Sequence, residues 1–285
     1  MRLLAFLLML MTAAAAPGAF QSNRIVVTSE GRGPDVILIH GLASNARIWQ
    51  PTAAALPGYR YHFVQVRGFG GEPNVGNTSD PNIAPVVEEI ARYIASEQLK
   101  RPAVVGHSLG GTMGMMLAAR HPELVGRLMV VDMMPFVGST FGGNSVEAIR
   151  PQVDAVFKQM ETAPPATRDA FLVQTINSMV RTDAMRAQVL AESRASDQAL
   201  VRRTYKEIML TDLRPELARI TVPTTVLYAM RADSPFTAEQ TDAYFRASYA
   251  NLKGVTLKRI PDSAHFIMFD QPARFQQELK TFLTS

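Results

Sequence analysis

Residues 106–110, with the sequence GHSLG, constrain this chain more than any other segment because of what flanks them. A short apolar run, residues 103–105, comes before them, and an amphipathic stretch, residues 112–120, comes after. A G-x-S-x-G segment between a strand and a helix forces an abrupt turn that strains the serine backbone. The two glycines remove side chains that would collide at such a turn. The segment therefore predicts Ser108 as an exposed nucleophile at the carboxyl end of a strand.

Short apolar runs alternate with amphipathic stretches along most of the chain. The predicted strands are residues 24–28, 35–40, 61–66, 103–105, 128–131, 224–228 and 255–260. The clearest predicted helices are residues 85–98, 112–120, 237–249 and 272–283. Buried strands that alternate with helices are typical of a parallel sheet covered on both faces. The pattern predicts an α/β fold.

One interval, about residues 138–214, breaks this alternation. It contains no strand-like run, and its helical patterns are separated by turns such as residues 163–166, with the sequence APPA. Helices inserted between two strands of a parallel sheet are the arrangement expected of a cap. We therefore expect one domain, residues 16–285, with a helical cap inserted at about 138–214.

The first residues differ from the rest of the chain. Arg2 precedes nine apolar residues, 3–11, and an alanine run follows at residues 13–16. A positive start, a short apolar run and small residues are typical of a secretory signal peptide. The run is shorter than the ~20 apolar residues that span a bilayer. We expect residues 1–15 to be removed and the mature protein to be periplasmic or secreted, with no stable membrane span. The alternative is an ordinary buried first helix.

Composition narrows the classes of partner. The 285 residues include no cysteine, which excludes a disulfide scaffold and a cysteine-ligated metal site. Twenty-nine Lys and Arg against 25 Asp and Glu give a net charge of +4. Nucleic-acid binders concentrate basic residues in a patch or stripe, whereas these are scattered, so we expect no nucleic-acid partner. The oligomeric state stays open.

A serine hydroxyl becomes a strong nucleophile only when a base takes its proton. The chain has five histidines, and His265 is the one that lies in a loop directly after the last predicted strand. In an open α/β sheet, reacting groups gather in loops at the carboxyl ends of strands. His265 is therefore the predicted base. Structural roles are expected for the others, which are His40, His62, His107 and His121.

The base needs a carboxyl group that orients its ring and stabilises its cation. Asp233 follows the predicted strand 224–228, and it gives the chain order nucleophile, acid, base that α/β-hydrolases use. Asp132 is the rival, because it ends the strand 128–131. Asp262 is a weaker rival, since it lies too close to His265 in sequence to aim easily at the ring. Asp233 is the predicted acid.

Acyl transfer creates an oxyanion that needs fixed hydrogen-bond donors. One donor is the backbone N–H after the nucleophile, here Leu109. The second is expected from Leu42, in the loop after the strand 35–40, where Gly41 allows a tight turn. The alternative for Gly41 is a simple glycine turn at a strand end.

Several of these segments together resemble a known family. They are His40-Gly41-Leu42, Arg67-Gly68-Phe69-Gly70, GHSLGG at residues 106–111, Asp233, and His265 followed by Asp270-Gln271-Pro272. From residue 24 to residue 283 the chain resembles the α/β-hydrolase superfamily, in its serine-nucleophile branch with a helical cap. The resemblance implies an eight-stranded, mostly parallel sheet and a Ser-His-Asp triad that works without cofactor or metal. The chain departs from the family at Ala264 and at residues 230–232, where glycine is more usual.

The nucleophile narrows the expected chemistry. Haloalkane dehalogenases and epoxide hydrolases of this superfamily use aspartate where this chain has Ser108, and the peptidase pattern Gly-Gly-Ser-Trp-Gly is absent. We expect hydrolysis of a carboxylic ester, a small to medium acyl ester or lactone, as the small-molecule substrate. The alternatives are a cofactor-free haloperoxidase or perhydrolase, a C–C bond hydrolase on the same triad, and a non-enzymatic ligand receptor.

Overall fold

Seven strands form one sheet in the computed structural model, which describes residues 20–285. They are β1 (Ile25–Gly31), β2 (Asp35–Ile39), β3 (Arg60–Val66), β4 (Ala103–His107), β5 (Arg127–Val131), β6 (Thr224–Met230) and β7 (Thr256–Pro261). The spatial order is β1-β3-β2-β4-β5-β6-β7, with β1 antiparallel to β3 and every other pair parallel. The predicted leader, residues 1–15, lies outside the described residues.

This sheet confirms the predicted α/β-hydrolase fold and corrects the strand count. Eight strands were expected from the family resemblance, whereas residues 20–285 form seven. The physical reason lies in the sequence, which offers seven strand-like runs in this part of the chain and no eighth. One edge of the sheet is therefore β1, which pairs directly with β3 from Ile25 opposite Val66 to Gly31 opposite Arg60.

Ten α-helices accompany the strands within residues 20–285. They are α1 (Gln50–Ala55), α2 (Ile83–Ser96), α3 (Leu109–Arg120), α4 (Val146–Thr162), α5 (Pro165–Met179), α6 (Asp183–Ala195), α7 (Gln198–Met209), α8 (Ala238–Ser248), α9 (Ile267–Asp270) and α10 (Pro272–Thr284). No helix within residues 20–285 is long and apolar enough to cross a membrane.

The sheet is buried on both faces because side chains alternate along each strand. In β2, Ile37 and Ile39 face a core shared with α2 and α3, whereas Val36 and Leu38 face a second core shared with α1 and α10. Helix α2 shows the matching period, with buried residues on one face three or four positions apart. These are Ile83, Val86, Val87, Ile90, Ala91 and Ile94.

Four helices, α4 to α7, lie between β5 and β6. This segment forms hydrogen bonds with the loops that follow four strands at their carboxyl ends. Asp197 donates its N–H to the Gly68 carbonyl after β3, and Glu192 accepts the N–H of Asn45 after β2. The Ser178 carbonyl accepts a hydrogen bond from Arg231 after β6, and the Met179 carbonyl accepts one after β7. These four helices are called the cap from here on. Their contacts place them over the sheet edge where the candidate site lies.

Candidate active site

Ser108 occupies the turn between β4 and α3. Its φ of 53° and ψ of −121° lie outside the regions that L-residues normally adopt. Its N–H donates to the Val131 carbonyl oxygen at 3.0 Å, which ties the turn to the end of β5. The serine has the strained backbone that the sequence predicts, and its residue surface is partly exposed.

The glycines of the motif are required by close backbone approach. A Cβ atom on Gly106 would overlap the Gly110 carbonyl oxygen, and one on Gly110 would overlap the Ile39 carbonyl oxygen. The loop after β2 also passes against Ser108, since a Cβ on Gly41 would lie 3.1 Å from the Cβ of Ser108. The turn therefore requires glycine at positions 106 and 110, and the contact at Gly41 is tight.

His265 pairs with Asp132. The imidazole Nδ1–H donates to Asp132 Oδ2 at 2.7 Å, and the two side chains are 20% and 16% exposed. Neighbouring strand β6 holds the acid, because Asp132 Oδ1 accepts the N–H of Ala229 at 2.7 Å and the Asp132 N–H donates to the Leu227 carbonyl at 2.7 Å. A histidine and a carboxyl group joined by a hydrogen bond thus stand at the carboxyl edge of the sheet.

The structure corrects the prediction that Asp233 is the acid that orients His265. Arg231 donates two hydrogen bonds to the Asp233 carboxylate, both at 2.7 Å, and the carboxylate is 70% exposed. This guanidinium lowers the pKa of Asp233 to about 2. A turn closed by the Ser234 N–H on the Arg231 carbonyl lies where a glycine-led turn was expected. The rival Asp132 therefore occupies the position beside His265, and Asp262 is likewise exposed.

His107 contacts the backbone of His265. Its Nε2–H donates to the backbone carbonyl of His265 at 3.0 Å, and the two rings lie 4.6 Å apart. Complete burial, together with the nearby His265, holds the pKa of His107 well below its usual range. His107 is therefore neutral at pH 7 and fixes the His265 backbone. Sequence reasoning gave it only a packing role within the turn.

Leu42 and Leu109, the two predicted oxyanion donors, both lie next to the Ser108 turn. Leu109 is the first residue of α3, and Leu42 belongs to the loop that passes against Ser108. Among residues 20–285, neither backbone N–H donates a hydrogen bond to another group. Buried His40 secures the start of the Leu42 loop, since its Nδ1–H donates to the Gly41 carbonyl at 2.7 Å.

Asp270 is a further residue at the site that sequence reasoning noted only as part of a resemblance. Its Oδ2 accepts the N–H of Ala264, next to the base, at 2.9 Å. Its Oδ1 accepts the N–H groups of Arg181 and Thr182, at 2.9 and 3.2 Å, between α5 and α6. One carboxyl group thus joins the His265 loop to the cap. The sequence signal, an acid two residues before the proline that begins α10, carries no such information.

The strained serine, the histidine–carboxyl pair and the sheet order together define a hydrolase of the α/β type. In agreement, the sequence profile of the alpha/beta hydrolase family matches residues 36–278. The chain therefore belongs to the alpha/beta hydrolase family, and it is a hydrolase. Across the part of the chain that the structure describes, no cluster of three or more His, Asp or Glu side chains is arranged to bind a metal ion.

Similar proteins include named hydrolases. Pimeloyl-(acyl-carrier protein) methyl ester esterase of Aeromonas hydrophila subsp. hydrophila is 29% identical over 258 residues, 89% of this chain and 96% of that protein. A hydrolase structure from Pseudomonas aeruginosa PA01 has a TM-score of 0.74 at 20% identity, covering 92% of this chain and 94% of that one. The enol-lactonase structure from Burkholderia xenovorans LB400 has a TM-score of 0.71 at 21% identity, covering 92% and 96%. At these identities the two structures show a shared fold.

Proposed function

We propose that the protein hydrolyses carboxylic esters through an acyl-enzyme on Ser108, with His265 as the base and Asp132 as the acid. The observation that carries the proposal is the 2.7 Å hydrogen bond from His265 to Asp132, formed at the sheet edge that also bears the strained serine. The esterase name of the Aeromonas relative supports the same reaction class.

The proposed reaction follows from the direction of this hydrogen bond. Because Nδ1–H donates to Asp132, the Nε2 lone pair of His265 is free to accept the Ser108 hydroxyl proton. The serine oxygen then bonds to the ester carbonyl carbon. The resulting oxyanion accepts hydrogen bonds from the N–H groups of Leu42 and Leu109. The histidine gives its proton to the departing alcohol. Water, deprotonated by the same nitrogen, then attacks the acyl-enzyme. This step releases the carboxylic acid product and restores the Ser108 hydroxyl.

The substrate we propose is a small to medium acyl ester or a lactone. A pimeloyl-(acyl-carrier protein) methyl ester esterase and an enol-lactonase among the similar proteins support esters and lactones as the substrate class. The test is a panel of nitrophenyl esters with acyl chains of increasing length, together with simple lactones. A maximum of kcat/KM among short and medium chains is expected, whereas a maximum among the longest chains would contradict the proposed size.

Labelling with a fluorophosphonate tests the nucleophile separately from the substrate. Wild-type protein should be labelled at Ser108 and should turn over at least one ester of the panel. Ser108→Ala should show neither labelling nor turnover. Labelling that persists in Ser108→Ala, or an unlabelled wild-type protein, would contradict the proposed function and favour a ligand-binding role.

We further propose that residues 1–15 direct export and are then removed. The support is the sequence alone, a positive residue followed by a short apolar run and small residues. Mass spectrometry of the protein isolated from a bacterial periplasm should give a mature chain that begins near residue 16. An intact amino terminus in a cytoplasmic fraction would contradict it.

A further inference from the structure

A buried carboxyl group of the cap contacts the loop that carries Leu42. Glu192, on α6, is only 7% exposed. Its Oε2 accepts the Ser44 hydroxyl and the Asn45 N–H, both at 3.1 Å, and its Oε1 accepts the Gln188 amide at 3.0 Å. Within residues 20–285 no Lys, Arg or His forms an ion pair with it. Burying a carboxyl group is costly unless hydrogen bonds compensate, so these three neutral donors hold it in place.

The loop held by Glu192 has little regular structure of its own. Ser44 and Asn45 follow Leu42 by two and three residues. Ala43, directly after Leu42, has a left-handed φ of 55°. A left-handed backbone at a residue with a Cβ costs free energy, so surrounding contacts must maintain it. The Leu42 N–H belongs to the peptide unit between Gly41 and Leu42, one residue before this backbone, so anchoring residues 43–45 restricts the directions that it can take.

The same end of α6 also anchors the adjacent loop. Ser196 accepts the Gly70 N–H at 2.8 Å through its hydroxyl, which donates to the Glu192 carbonyl at 2.9 Å. The Asn45 side chain donates to the Gly70 carbonyl at 3.0 Å. The loops after β2 and β3 are thus bonded to each other and to one helix of the cap.

We infer that Glu192 is a positioning residue that sets the Leu42 oxyanion donor from the cap. This inference rests on the proposed function. The cap then has a catalytic task besides covering the site, since seating α6 through Glu192 orders residues 42–45. A group that acts on the oxyanion donor changes transition-state stabilisation more than ground-state binding.

The test compares Glu192→Ala and Glu192→Gln with wild type on 4-nitrophenyl butyrate, with kcat expressed per active serine titrated to completion with a fluorophosphonate. Glu192→Ala should lower kcat about 10- to 100-fold, less than the ~10²–10³-fold loss on deleting an oxyanion donor, because the donor is displaced and not removed. KM should change by about 2-fold or less. Glu192→Gln should lose less, because its amide oxygen still accepts one hydrogen bond. Glu161→Gln, an exposed carboxyl of α4, is the matched control and should match wild type.

A trifluoromethyl ketone separates positioning from a purely structural role. Its tetrahedral adduct places an oxyanion in the same hole, so its affinity should fall in Glu192→Ala in proportion to kcat/KM. A lower melting temperature with unchanged kcat per titrated serine and unchanged inhibitor affinity would overturn the inference. If Glu192→Ala does not fold, Glu192→Gln and Ser44→Ala carry the same comparison. A wild-type protein that neither labels nor turns over esters would instead overturn the proposed function.

Discussion

At the scale of single residues, which carboxyl group pairs with His265 depends on the hydrogen bonds that hold it and not on its sequence position. Asp132 and Asp233 follow neighbouring strands, and both precede His265 in the chain. Asp132 is held towards the base by the Ala229 N–H on its other oxygen. Asp233 is held outward by Arg231, only two residues earlier. A nearby guanidinium that forms two parallel hydrogen bonds competes strongly for a carboxylate.

Substitution of each acid by asparagine should separate the two. Asp132→Asn should lower kcat about 10³- to 10⁴-fold, because the amide favours the wrong histidine tautomer. Asp233→Asn should stay within about 2-fold of wild type, since its carboxylate is exposed and paired with Arg231. Steady-state kinetics on a nitrophenyl ester measures both. A severe loss in Asp233→Asn with an active Asp132→Asn would reverse the assignment.

At the scale of elements, strand register brings the site residues together. His107 on β4 lies opposite Val131 on β5, so that Ser108 and Asp132 both begin the loops at adjacent strand ends. On the next pair, Val131 lies opposite Leu227, and Met230 lies opposite Pro261 just before the His265 loop. A shift of register by one residue would turn these side chains to the other face. Parallel pairing therefore aligns three loops at one edge.

The junction of β4 and α3 should tolerate no side chain at Gly106. Gly106→Ala would force its Cβ against the Gly110 carbonyl oxygen, so we expect a loss of at least about 1–3 kcal/mol in the free energy of unfolding, with reduced activity. Gly142→Ala is the control, since that Cβ has no atom within 4 Å although its φ is positive. Urea unfolding of both variants gives the comparison. Equal losses would indicate that backbone conformation, and not steric overlap, dominates.

The connection between α5 and α6 should loosen when Asp270 is changed. Asp270→Ala removes the acceptor for the amides of Ala264, Arg181 and Thr182, so these should exchange hydrogen faster and kcat should fall. Hydrogen exchange followed by mass spectrometry measures the first effect on peptides covering those residues. Glu161→Ala, which removes an exposed carboxyl of α4, is the control and should change neither. Unaltered exchange in Asp270→Ala would contradict the proposed link.

At the scale of the whole molecule, two neutral histidines are buried beneath the catalytic edge. His40 is fully buried and its pKa is lowered by burial to about 4, while burial also lowers the pKa of His107. Both rings are committed to backbone partners, His40 to Gly41 and Val66, and His107 to His265. Histidine side chains titrate near neutrality in water. The fold buries these two at positions that accommodate only the neutral imidazole.

Stability should consequently fall as the pH drops below about 6.5. There the unfolded chain binds protons at these histidines while the folded chain does not, so protonation favours unfolding. Each histidine contributes a slope of up to about 1.4 kcal/mol per pH unit, and for His40 the loss continues down to about pH 4. Urea unfolding at pH 7.5, 6.5 and 5.5 measures the effect. His40→Gln should have a smaller slope than wild type, and an unchanged slope would contradict the role of His40.

The sequence by itself determined the alternation of strands and helices and the turn at Ser108. Apolar periodicity reports which faces are buried, and a glycine-flanked serine between a strand and a helix reports a local steric requirement. Both signals are short-range, so they can be read along the chain. His265 could also be assigned, because few histidines compete and only one follows the last strand.

Only the tertiary structure decided which carboxyl groups act together. The position of Asp132 beside His265 depends on the register of β5 with β6, and the contact of Glu192 with Asn45 joins residues 147 positions apart. Hydrogen bonds between distant segments require positions accurate to a fraction of an ångström, and such distances depend on the packing of the whole chain.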